Sequence, residues 1–166
     1  MDAEYFRTVW DYCYWARDRL LAATEGLSEE EYARPNGFVY GSIRGILAHT
    51  LGGEAAWLAR WQDGASSMLG EAELPTLAAL KARWAEEEAK MRAFVGGLSE
   101  ADLARDVKLR RRDGTEGSWP LWQLLAHVVN HTTQHRSEAA EALTLVGRSP
   151  ENLDMLFYFA ERNARS

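Results

Sequence analysis

The sequence predicts an all-α protein: a four-helix bundle of up-down course with one long crossover, plus a short C-terminal helix. Three observations predict it. Four long stretches carry apolar residues at steps of three and four, the signature of a helix with one buried face. Each stretch is bounded by residues that start or stop helices. Only the stretch from Val107 to Trp119 alternates in the manner of strands. With 166 residues, 46% of them hydrophobic, the chain is sized for a single domain spanning 1–166 around one core, and it has no internal repeat or linker.

The first helix is expected from Asp2 to about Thr24, with Phe6, Val9, Trp10, Cys13, Ala16, Leu20 and Leu21 on its buried side and Gly26 as its stop. A short helix follows from Ser28, where Ser-Glu-Glu-Glu is a capping-box pattern, and ends before Pro35. Ser42 is the N-cap of the second long helix, which runs to about Gln62 on Ile43, Ile46, Leu47, Leu51, Ala55, Leu58 and Trp61. Gly52 and Gly53 sit inside it. Glycine costs a helix interior about 1 kcal/mol against alanine, so their presence predicts close approach of another element or a ligand. A loop is expected from Asp63 to Pro75. Thr76 caps the third long helix, to about Val95, with Leu77, Leu80, Trp84, Ala89, Met91 and Phe94 inward, and Ser99 opens one further turn. Asp113-Gly114 is a turn signal, so Val107 to Trp119 reads as a small hairpin or an irregular crossover. The fourth long helix is expected to start at Ser118-Trp119-Pro120, with the proline in its first turn, and to end near Leu145 before Gly147. A last short helix follows Pro150, capped by Asn152 or Asp154.

The charge balance is 19 cationic against 25 acidic residues, a net of −6. That argues against a protein whose task is gripping a phosphate backbone and favours a small-molecule partner. The one basic run, Arg110-Arg111-Arg112, lies in the crossover as a solvated loop or a lip for an anionic substrate. Cys13 is the only cysteine, so no intrachain disulfide forms. A reducing, cytoplasmic setting is expected, and the apolar helical surroundings of Cys13 favour packing over reactivity. The first residues lack the basic and apolar regions of a secretory leader, and no apolar run is long enough to span a membrane. Neither nucleic acid nor membrane is expected as a partner. Seven tryptophans read mainly as core, with one or two at a pocket or subunit interface.

The chemistry concentrates in four histidines. His127, His131 and His135 stand four residues apart on the fourth long helix; His49 lies mid-way along the second. Neutral imidazole is a common ligand for transition metals, and two imidazoles one turn apart can share an ion. One ion can take His127 with His131, or His131 with His135, and a three-histidine site must include His49. Val128 and Thr132 follow the first histidine of each pair, where a zinc peptidase carries its glutamate, so that reading fails. Glu138 is a candidate fourth ligand, an acceptor for an imidazole N–H, or a solvated side chain. Arg136 is a candidate partner for a carboxylate or an anionic substrate. Tyr12, Tyr14 and Tyr40 are candidate proton donors that spacing does not place. Three imidazoles and an open position suit zinc, with nickel, iron or manganese as alternatives.

Four stretches resemble the DinB/YfiT-like superfamily: Tyr14-Trp15-Ala16 with Arg19-Leu20-Leu21; Ser42 through His49 with Trp57 to Arg60; Trp122 through Arg136; and Gly147 with Pro150 and Leu153-Asp154. The likeness covers nearly the whole chain. It implies a four-helix bundle holding a divalent metal on His49, His131 and His135, with His127 a neighbour of the site; for that donor set zinc or nickel is expected. Ser137-Glu138 replace the Gly-Gln that usually follows His-Arg in this superfamily, adding a negative charge near the site. The resemblance also implies a metal-dependent S-transferase that activates a low-molecular-weight thiol for attack on an electrophile, and a homodimer. Two alternatives stand beside it. One is a hydrolase using metal-activated water with His127 or Glu138 as base; the other is a non-catalytic, metal-stabilised binding module.

Overall fold

A computed structural model describes residues 2–62, 69–110 and 113–165, and the chain it shows is mostly helical. The elements run α1 (Ala3–Ala23), α2 (Glu29–Ala33), α3 (Ile43–Trp61), α4 (Leu77–Gly96), α5 (Glu100–Ala104), β1 (Asp106–Arg110), β2 (Glu116–Pro120), α6 (Leu121–Leu145) and α7 (Met155–Ala164). Among the described residues no helix is long and apolar enough to cross a membrane.

Local chemistry starts these helices where the sequence signals it. The Asp2 carboxylate accepts from the Tyr5 amide at 2.7 Å, the Ser42 hydroxyl from the Gly45 amide at 3.0 Å, and the Thr76 hydroxyl from the Ala79 amide at 3.1 Å. Ser28 with Glu31, and Ser99 with Asp102, close reciprocal capping boxes. Asp154 caps α7 by position, while its own amide donates to the Asn152 side chain.

Helix α3 packs on α6 and α4, α1 packs on α6 and α4, and α7 lies on α1. The core between them is built on Phe6, Trp10, Ile46, Leu51, Trp61, Leu80, Trp84, Leu125 and Val128, each at most 2% exposed. Burying one such side chain contributes about 1.5–3 kcal/mol.

The crossover is a hairpin. β1 and β2 pair antiparallel from Asp106↔Pro120 to Arg110↔Glu116. Gly114 takes a φ of 86° at the turn, and the Asp113 carboxylate accepts from the Thr115 amide. This pairing corrects the expected start of the last long helix. Ser118, Trp119 and Pro120 are held extended against β1, and α6 begins at Leu121, whose amide donates to the Arg105 carbonyl at 2.9 Å. Proline suits the end of this strand because it has no N–H to donate. Part of the expected 63–75 loop, together with Arg111 and Arg112, lies outside the described residues.

Candidate metal centre

His49 occupies the middle of α3 with a glycine one turn away on either side, Gly45 and Gly53. Both glycines are where they are because something else fills the space of a side chain. A Cβ on Gly45 would stand 1.9 Å from the Tyr40 carbonyl oxygen, and one on Gly53 would stand 2.9 Å from His131 Cε1. The chain before α3 therefore lies directly on the first turn and brings the Tyr40 ring onto His49, stacked at 3.8 Å with 15° between planes. From the other end, the missing side chain of Gly53 admits the His131 imidazole from α6. The adjacent Gly52 is approached by backbone, with the Leu69 carbonyl oxygen 2.3 Å from where a Cβ would be.

The result is three imidazoles from two helices meeting at one point. His49 Nε2 and His131 Nε2 are 3.1 Å apart. The His135 ring stands 4.7 Å from that of His49 and 4.4 Å from that of His131, nearly edge-on to both. Each histidine offers one nitrogen, and the three nitrogens lie within 4.8 Å of one another, a group that could hold a metal ion. The spacing fits: two nitrogens bound to one ion at about 2.0–2.1 Å stand about 3.0–3.4 Å apart.

The surroundings favour a neutral imidazole at His131. Burial lowers the pKa of His131 to about 4, and the neighbouring His135, His49 and His127 push it the same way, so its ring is uncharged at neutral pH. His131 Nδ1 is buried and has no hydrogen-bond partner among the described residues. His135 Nδ1 donates to the Glu138 carboxylate at 2.7 Å, which assigns the ring proton to Nδ1 and leaves Nε2 as the donor atom for an ion. Burial alone would raise Glu138, but the hydrogen bonds from His135 and Gln134 outweigh it and hold this carboxylate below its usual range. Among the described residues Glu138 is thus the acceptor behind His135 and not a member of the three-nitrogen group.

A cavity of about 590 Å³ opens beside His49 and His131, between α3, the hairpin and α6. His127 is on its wall, edge-on to Trp57 at 5.2 Å, and 6.2 Å from His131 between ring centres. It stands outside the three-histidine group. Arg136, a candidate for the same cavity, is not among its lining residues. Its guanidinium donates to the hydroxyls of Thr132 and Thr133 and lies 5.2 Å over the Tyr12 ring of α1. Cys13 is buried close by, its thiol pushed up by that burial, which agrees with packing. Of the three tyrosines only Tyr40 reaches the histidines; the Tyr12 hydroxyl donates to the Leu153 carbonyl, and that of Tyr14 is buried without a partner among the described residues. Sequence reasoning did not foresee Trp57, Arg60 and Trp119 as cavity wall. The three-to-four spacing of His49, Gly53, Trp57 and Arg60 along α3 was the available signal.

Fold and site together define a mostly helical protein whose three-histidine group is suited to a metal ion and borders an open cavity. The chain belongs to the DinB family, whose sequence profile matches residues 1–164. A search of curated proteins finds no significant match.

Proposed function

We propose that this protein is a metal-dependent S-transferase, with His49, His131 and His135 as ligands of a divalent ion, zinc or nickel. The observation that carries the reading is the convergence of three imidazoles, two of them 3.1 Å apart, next to a cavity large enough for a second molecule. When bound, such an ion would lower the pKa of a low-molecular-weight thiol so that it reacts as thiolate near neutral pH.

The chain's own residues do the rest. Glu138 keeps a proton on His135 Nδ1 and so aims Nε2 at the site. Tyr40, stacked on His49, restrains that ring from turning. Trp57 and Trp119 give an apolar wall that displaces water and seats the electrophile. His127, on the same wall, is placed to take or return a proton. The protein's own thiol is not the nucleophile: Cys13 is buried and held protonated, so the sulfur comes from the co-substrate. The reading includes a single-domain four-helix bundle made by α1, α3, α4 and α6, each packed on two others. It also includes a cytoplasmic homodimer, supported by the exposed Leu156 and Phe157 of α7.

The test is to incubate metal-loaded protein with a panel of biological thiols and a bimane electrophile, beside His131→Ala. Thiol-dependent turnover that the variant loses supports transfer. Cleavage of activated esters without thiol would move the assignment to hydrolysis, and tight metal retention with no turnover in either assay would move it to a binding module.

A further inference from the structure

The cavity changes chemistry along its length. One end is imidazole. The middle is apolar, with Trp57, Trp119 and Leu109. The other end carries Arg60, in the last turn of α3, and Arg110, at the end of β1. His49, Gly53, Trp57 and Arg60 follow one stripe of α3, and eleven residues of helix place Arg60 about 16 Å from His49 along the axis. Arg60 lies 5.1 Å over the Trp57 ring, and Trp57 in turn meets His127. The order from the metal group outward is therefore imidazole, indole, guanidinium.

The two arginines stand out in a chain of net charge −6. Among the described residues neither makes an ion pair with a carboxylate, and no acidic side chain lines the cavity. A guanidinium beside an indole face is a strong seat for a planar anion. Its fork matches a carboxylate, and water is partly excluded by the ring.

We infer that the cavity binds an elongated amphipathic anion, its carboxylate, sulfonate or phosphate end on Arg60 and Arg110 and its apolar body against Trp57 and Trp119. The opposite, reacting end then falls at the histidines. This last placement rests on the proposed function; the anion seat does not, because it lies more than two helical turns from the metal group.

The experiment measures the affinities of 4-phenylbutyrate, 4-phenylbutanol and 4-phenylbutylamine for the full chain by calorimetry. It is run metal-loaded and chelator-stripped, with metal content measured in each sample. The carboxylate is expected to bind at least about tenfold tighter than the alcohol in both states, as charge-assisted hydrogen bonds to two guanidinium groups imply, and the amine weakest. Arg60→Gln and Arg110→Gln should each lower the carboxylate affinity severalfold and leave the alcohol unchanged, while Arg60→Lys keeps part of the preference. Equal binding of acid and alcohol overturns the inference. So does a preference that survives Arg60→Gln combined with Arg110→Gln. A preference that vanishes on stripping also overturns it, since the carboxylate would then sit on the ion. Protein that retains no metal yet keeps the preference upholds the anion seat while the metal reading fails.

Discussion

Helix α6 presents two polar faces made of neighbouring residues, and they behave in opposite ways. Thr132 and Arg136 face α1. There the guanidinium donates to the Thr132 and Thr133 hydroxyls, the hydroxyls donate on to the Val129 carbonyl, and the cation rests on Tyr12. Donors meet acceptors, and the face is complete in itself. His131 and His135, one residue earlier in each case, face α3. There three imidazoles bring the same function to one point, and His131 Nδ1 has no hydrogen-bond partner among the described residues. Groups that complement one another hold a fold together; groups that duplicate one another around a common point call for something from outside.

The contrast can be broken from the histidine side first. His131→Ala removes the nitrogen that pairs with His49 and should reduce metal retention by more than about 100-fold, beyond what loss of a supporting contact produces, as read by metal analysis after dialysis. Glu138→Ala leaves all three histidines but frees the His135 ring, and a loss of about 10–100-fold in metal affinity by competitive titration is expected. From the other side, Arg136→Ala should lower stability by about 2–4 kcal/mol in denaturant unfolding through lost packing and hydrogen bonds, with metal affinity unchanged. A metal defect in that variant would show that the two faces are not separate.

The smallest effect concerns a third polar group, on α3 where it meets α4. Glu54 is buried and accepts from the Trp84 indole at 3.1 Å. Burial pushes its pKa up to about 7 against the pull of that hydrogen bond and of Arg17 and Arg136. A carboxyl raised in the folded state favours folding when protonated. That contribution is present below the ordinary value near 4.5 and is lost as pH rises through about 7. Glu54→Gln has no charge to lose, so its melting temperature relative to the parent should climb by roughly 3–6 °C between pH 5 and pH 8. A difference that stays flat with pH would remove Glu54 from the account.

What the sequence made legible follows from range. Caps are local: Ser28 reaches Glu31 and Thr76 reaches Ala79, so helix starts could be read from a few residues. Pro120 also carries a local signal, for a first helical turn, yet Asp106, fourteen positions away, holds it in a strand. The three i, i+4 histidines showed that α6 has an imidazole stripe. Spacing left open which pair meets His49, because that depends on where α3 crosses α6, and the resemblance implied 131 with 135, the grouping the structure shows. Glu138 was weighed in three roles, and its carboxylate stands 2.7 Å from His135 Nδ1, where it can accept. Tyr40 was named as a candidate beside Tyr12 and Tyr14, but its placement was beyond reach, since it comes from a non-helical segment packed on Gly45.

The run Gly45-Ile46-Leu47-Ala48-His49-Thr50-Leu51-Gly52-Gly53 carries a consequence for evolution and for library screening. With a hydrogen in place of each flanking side chain, the helix wall is notched above and below the imidazole, and each notch is already filled by a neighbour at contact distance. Neither notch leaves room for even a methyl group, so mutational drift at positions 45 and 53 should be closed although helical propensity there would improve with almost any replacement. A helical histidine set between two glycines at four-residue steps is then a tag to look for in other chains, marking an imidazole that its surroundings were shaped to reach.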